Sequence, residues 1–143
     1  MSLRHKAREY AVQMLFQWEI GRQQTERIER GFWQIVRAEK VTRAFADQLF
    51  EGTASGAEEL DTWIAGHAEH WRLERFPVID RTILRLAAYE LRSTKTPPKV
   101  VLNEAIELAK KFSSHDAAPF INGVLDSLLR SMQKPPAPKK EKN

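Results

Sequence analysis

The sequence predicts an all-α fold. Three observations carry that expectation. Apolar residues recur at helical spacing along most of the chain, no segment alternates with the period of two that marks a strand, and no hairpin turn signal joins two apolar runs. With 143 residues, the chain is expected to form one domain over residues 1–132, long enough to bury a core without staples. Residues 133–143, basic and rich in Pro and Lys, are expected to be a disordered tail. Its lysines Lys134, Lys139, Lys140 and Lys142 fit either a solubilising end or a weak electrostatic contact with RNA.

From Leu3, the residues Ala7, Tyr10, Ala11, Met14, Leu15 and Trp18 follow one helical stripe, with Gly21 as the expected C-terminal breaker. Val12, Phe16 and Ile20, with His5, form a second stripe on the opposite side. The first helix is therefore either sandwiched between two layers or meets a partner. Thr25 is the expected cap of a second helix carrying Ile28, Phe32, Ile35 and Val36, and Thr42 that of a third carrying Phe45, Leu49, Leu60 and Ile64. Gly52 and Gly56 interrupt this third segment, as a close approach or as a kink.

Pro77 closes a loop before a helix from about Val78 to Leu91, whose apolar arc covers about half its circumference and marks it as central. Glu90 projects inside that arc. A buried carboxylate is costly unless paired, so Glu90 is expected to serve structure through a partner. Pro97 and Pro98 start the next helix, with Val101, Ala105, Leu108, Ala109 and Phe112 on its apolar side. Ser113, Ser114 and Asp116 are cap candidates for the last helix, which carries Ile121, Val124, Leu125, Leu128, Leu129 and Met132. Gly123 within it costs roughly 1 kcal/mol against alanine, which predicts a neighbouring backbone or a ligand close by.

Composition narrows the function. No cysteine is present, so a disulfide framework and a thiolate metal site are excluded, and a reducing, cytoplasmic setting is expected. No apolar run approaches a membrane span, and the charged N-terminus is not a signal peptide. Neither a glycine-rich phosphate loop nor a nucleophile elbow occurs, so no enzyme is expected. His67 and His70, with Glu69, lack a third defined ligand, and no metal or cofactor is expected. Glu58, Glu59 and Asp61 read as a solvated face.

The formal net charge is +4. Arg4, His5, Lys6 and Arg8 crowd the first turns of a helix, where the macrodipole disfavours cations. A phosphate ligand explains this arrangement, and a solvated polar face is the plainer alternative. Tyr10, Phe16 and Phe120 are aromatics able to stack on unpaired bases, and Phe120 is best placed, at the edge of its helix's apolar arc.

Taken together, these residues resemble the NusB transcription antitermination family, from Arg4 to about Leu129. The resemblance rests on Arg8-Glu9 with Ala11, Gln13, Leu15 and Trp18, and on Asp80-Arg81 through Leu91. It rests further on Glu104-Ala105-Ile106-Glu107-Leu108-Ala109-Lys110 and, most specifically, on Phe120-Ile121-Asn122-Gly123-Val124-Leu125-Asp126. It implies about seven helices in two three-helix bundles packed across each other. It also implies pairing with the ribosomal protein NusE, binding of boxA-type single-stranded RNA, and action on RNA polymerase during ribosomal RNA synthesis. A homodimer stays open.

Carried over by residue, the resemblance assigns Arg4, His5, Lys6, Arg8, Asp116 and Phe120 to the RNA side. Phe16, Glu74, Asp80 and Arg81 fall on the partner side. Asp116 accepts from a base or caps its helix. Two departures weaken the basic surface: Pro119 stands where the family often has lysine, and His5 where arginine is common. The same fold occurs as the N-terminal domain of ribosomal RNA methyltransferases, but with the chain ending at Asn143 no methyl-donor domain is expected. A protein-binding adaptor without RNA binding of its own is the alternative of another class.

Overall fold

Each periodic segment folds as a helix, and its main apolar stripe faces a shared core. The computed structural model describes residues 2–68 and 73–133, which hold seven α-helices, one 3-10 turn at Leu73–Arg75 and no strand. Helix α1 (Leu3–Gly21) starts at Ser2, whose hydroxyl accepts the His5 N–H at 3.0 Å. At its end the left-handed position is taken by Arg22, at φ 54°, and not by the expected Gly21. The Arg22 N–H donates to Trp18 O at 2.8 Å and closes the last turn.

Helix α2 (Thr25–Ile35) and helix α3 (Lys40–Ser55) begin one and three residues before their expected positions. Gln24 and Glu39 occupy the cap positions, and neither side chain makes a cap bond. Thr42 is instead buried inside α3, three residues past the cap. The two glycines resolve differently. A Cβ on Gly52 would fall 2.3 Å from the Tyr89 ring, so this glycine admits a close approach, whereas Gly56 breaks the chain between α3 and α4 (Ala57–Ala65).

Helix α5 (Val78–Ser93) is buried along most of its length, as its wide apolar arc requires, and packs against α1, α3, α4, α6 (Pro98–Phe112) and α7 (Ala117–Gln133). Pro98 sits in the first turn of α6 as expected. Of the three cap candidates for α7, Ser114 makes the bond: its hydroxyl accepts the Ala117 N–H at 3.1 Å. Gln133 belongs to α7, and the rest of the expected tail lies outside the described residues.

Helices α1, α2 and α3 form one bundle, α5, α6 and α7 a second, and α4 bridges α5 and α7. Because α5 also packs against α1 and α3, the two bundles share one continuous core. Burying side chains such as Ile83, Leu84, Phe50 and Met14 in it contributes about 1.5–3 kcal/mol each. Gly123 corrects an expectation: it is exposed, and a Cβ there would meet nothing within 4 Å. Among the described residues no neighbouring backbone calls for a glycine. None of the described helices is long and apolar enough to cross a membrane.

Candidate nucleic-acid interface

The first turns of α1 divide the predicted cluster by helical phase. Arg4 is exposed, and its guanidinium carbon stands 4.3 Å from the Phe45 ring centroid, a cation–π contact that holds the charge at the surface. Lys6 lies 3.5 Å from Glu9 Oε1 and over the Tyr10 ring. His5 is half-buried between two carboxylates, its Nδ1 2.6 Å from Glu104 Oε1 and its Nε2 3.0 Å from Glu9 Oε2. It ties α1 to α6.

Arg8 is buried and does not join that surface. Its Nε and Nη2 donate to the two oxygens of Glu90, each at 2.8 Å, in a bidentate pair. Glu90 also accepts from Thr96 Oγ1 at 3.0 Å. Burial opposes the Arg8 charge, but the bond and charge of Glu90, with Glu104 nearby, outweigh it and raise the guanidinium's pKa. Assigning Arg8 to an RNA-contacting cluster is therefore corrected: Ala7, Ala11 and Arg8 all turn inward, and the guanidinium is the partner that the buried Glu90 requires.

Two networks escaped sequence reasoning. Glu9 is buried and gathers His5, Lys6 and, from α6, Lys111 at 3.0 Å. Burial would raise its pKa, but the Lys111 bond and charge, with Lys6 and His5, hold it below the usual range. Arg85, buried in α5, donates to both oxygens of Asp61, at 2.6 and 2.7 Å, and to Glu19 at 2.7 Å. Asp61 is thus half-buried and paired, unlike the solvated residue expected. Glu9 stands four residues after His5, a spacing that could have shown this local pair, but contacts with Lys111 or between Arg85 and Asp61 carry no periodic signal.

The other assigned residues fall elsewhere. Asp116 is exposed in the turn before α7. Phe120 is half-buried and meets Phe76 edge-on, with ring centroids 4.5 Å apart. Tyr10 packs edge-on against Phe32 and Trp33 and belongs to the α1–α2 contact. Among the described residues no group of three or more His, Asp or Glu could hold a metal ion, and the candidates Glu69 and His70 lie outside them.

On the second stripe of α1, Val12 is buried, while Phe16 is 41% exposed and Ile20 is open to solvent. Phe16 lines an apolar groove of about 680 Å3 with Val12, Pro77, Val78, Ile79 and Phe112. Glu74 is exposed in the 3-10 turn. Asp80 is buried, and its Oδ1 finds no hydrogen-bond partner among the described residues; nor does Arg81 Nε. The cap position of α5 belongs to Pro77.

Comparison with known proteins bears on the family and the fold. The model of the NusB family matches residues 5–130. The transcription antitermination protein NusB of Koribacter versatilis is 47% identical over 131 residues, covering 90% of each chain. That of Solibacter usitatus is 44% identical over 96% of each. Among solved structures, NusB of T. maritima superimposes with a TM-score of 0.80 at 33% identity, over 89% of this chain and 90% of that one. A crystal structure of antitermination factors NusB and NusE in complex with dsRNA superimposes with a TM-score of 0.82 at 25% identity, over 92% and 98%. With the matched residues running from His5 in the first helix to Arg130 in the last, this chain belongs to the NusB family.

Proposed function

We propose that the chain is an RNA-binding transcription antitermination factor. It pairs with the ribosomal protein NusE, binds boxA-type RNA, and acts with RNA polymerase during ribosomal RNA transcription in the cytoplasm. Its work is binding, not catalysis. The observation that carries this reading is the split at the start of α1. Arg4 and Lys6 are held at the surface against Phe45 and Tyr10, in a helix turn whose dipole disfavours them, while Arg8 and His5 are drawn into structural pairs. Exposed cations in that position suit phosphate.

Asp116 and Phe120 extend the RNA side at the α6–α7 junction, Phe120 through its ring and Asp116 by accepting from a base. The partner side is the apolar groove with Phe16, bordered by Glu74 and the start of α5. An aromatic anchor in a groove supplies apolar area to a protein partner.

The test is a titration of a short boxA-like RNA with and without NusE. This reading expects weak, salt-sensitive binding by the chain alone and tighter binding by the pair. Association with NusE but no RNA binding in either arm would leave the adaptor reading standing instead.

A further inference from the structure

The RNA reading leaves Lys111 unassigned. This residue lies in the last turn of α6, far from α1 in sequence, yet its ammonium group reaches Glu9 Oε1 at 3.0 Å. Lys6 approaches the same oxygen at 3.5 Å. Two ammonium groups sharing one oxygen at these distances lie no more than roughly 6.5 Å apart. A phosphate group fits between two such donors, since each N–H···O bond spans about 2.8 Å and the group's own oxygens fill the remainder.

The burial pattern fits a clamp. The Glu9 side chain is 3% exposed, whereas those of Lys6 and Lys111 are 44% and 51% exposed. The carboxylate thus holds the inner side of both cations and leaves their outer side to solvent. Its other oxygen is taken by His5. One negative charge is shared between two lysines, so the point where they meet keeps a net positive charge.

Resting on the RNA reading above, we infer that Lys6 and Lys111, positioned by Glu9, form a two-lysine clamp for a single backbone phosphate of the RNA. The clamp carries the RNA path from the start of α1 onto the end of α6. Glu9 is its positioning residue and does not touch the ligand.

The experiment is a salt titration of boxA-like RNA binding by the full chain and by Arg4→Gln, Lys6→Gln, Lys111→Gln, Lys111→Arg and the double variant Lys6→Gln/Lys111→Gln. Thermal melting of each shows that it is folded. Lys111→Gln is expected to weaken binding roughly threefold to tenfold at low salt, and Lys111→Arg to restore it. The double variant is expected to flatten the log–log salt slope by one phosphate, about 0.7. A loss of about 1.4 would put the lysines on separate phosphates and overturn the clamp. Wild-type affinity in folded Lys111→Gln, while Arg4→Gln binds more weakly, would overturn it too and leave the RNA reading intact. Wild-type protein without salt-dependent RNA binding would take down both.

Discussion

Arg4 and Arg8 stand one helical turn apart on α1 and do opposite things. Arg4 is held at the surface by Phe45, and Arg8 is sunk into a bidentate pair with Glu90. Removing one member of a buried pair leaves the other charge uncompensated. Glu90→Ala is therefore expected to lose about 3–5 kcal/mol in urea unfolding, and Glu90→Gln less. Wild-type stability in Glu90→Ala would contradict the pairing. That Glu90 needed a partner was legible from its place in an apolar arc. That Arg8 was the partner was not, because the pair spans 82 positions and no local spacing encodes it.

Glu29 gives a pH signature. Burial, a bond with Glu51 and the charges of Asp47, Glu51 and Glu26 raise its pKa from 4.5 to about 8. The folded chain keeps a proton there that the unfolded chain releases. This contribution to stability is present below the ordinary glutamate range and is lost as pH rises from there to about 8. Glu29→Gln should flatten that decline and gain on the order of 1 kcal/mol at its upper end, a value discounted for partial exposure. Calorimetric melting across this range checks it, and an unchanged slope in the variant would contradict it.

At the scale of helices, the periodic segments were readable because each apolar stripe is local. Their ends were less so. Thr42 looked like a cap by type, but it lies buried within α3, whose cap position falls at Glu39. Gly21 looked like the terminator, but Arg22 takes the left-handed conformation. A non-glycine residue there is strained by about 1 kcal/mol, so Arg22→Gly should stabilise by up to that amount, less the contact of its guanidinium with Trp18. Gly123→Ala should stabilise by about 1 kcal/mol, since its Cβ meets nothing within 4 Å. Melting of the free protein tests both. If Gly123→Ala gains stability yet weakens RNA binding, the glycine serves the ligand.

At the scale of the whole molecule, α5 joins two bundles into one core and leaves α1 with two working faces. Its first turns carry Arg4 and Lys6, and its fourth turn carries Phe16 into the groove with Pro77 and Phe112. The two-stripe pattern of α1 was visible in the sequence, but which part of the second stripe stayed uncovered depended on where α5 and α6 packed. Phe16→Ala is expected to remain folded and to bind NusE at least tenfold more weakly by calorimetric titration, an anchor's share of an interface. Undiminished NusE affinity would move the partner face elsewhere. The central claim, that the exposed cations of α1 hold RNA phosphate while Arg8 holds the fold, is tested most directly by the salt dependence of RNA binding in Arg4→Ala/Lys6→Ala with Arg8 left in place. The variant should melt within about 1 kcal/mol of wild type, bind more weakly, and show a log–log slope flatter by up to about 1.4, two phosphate contacts at most. A folded variant with wild-type affinity and slope would contradict it.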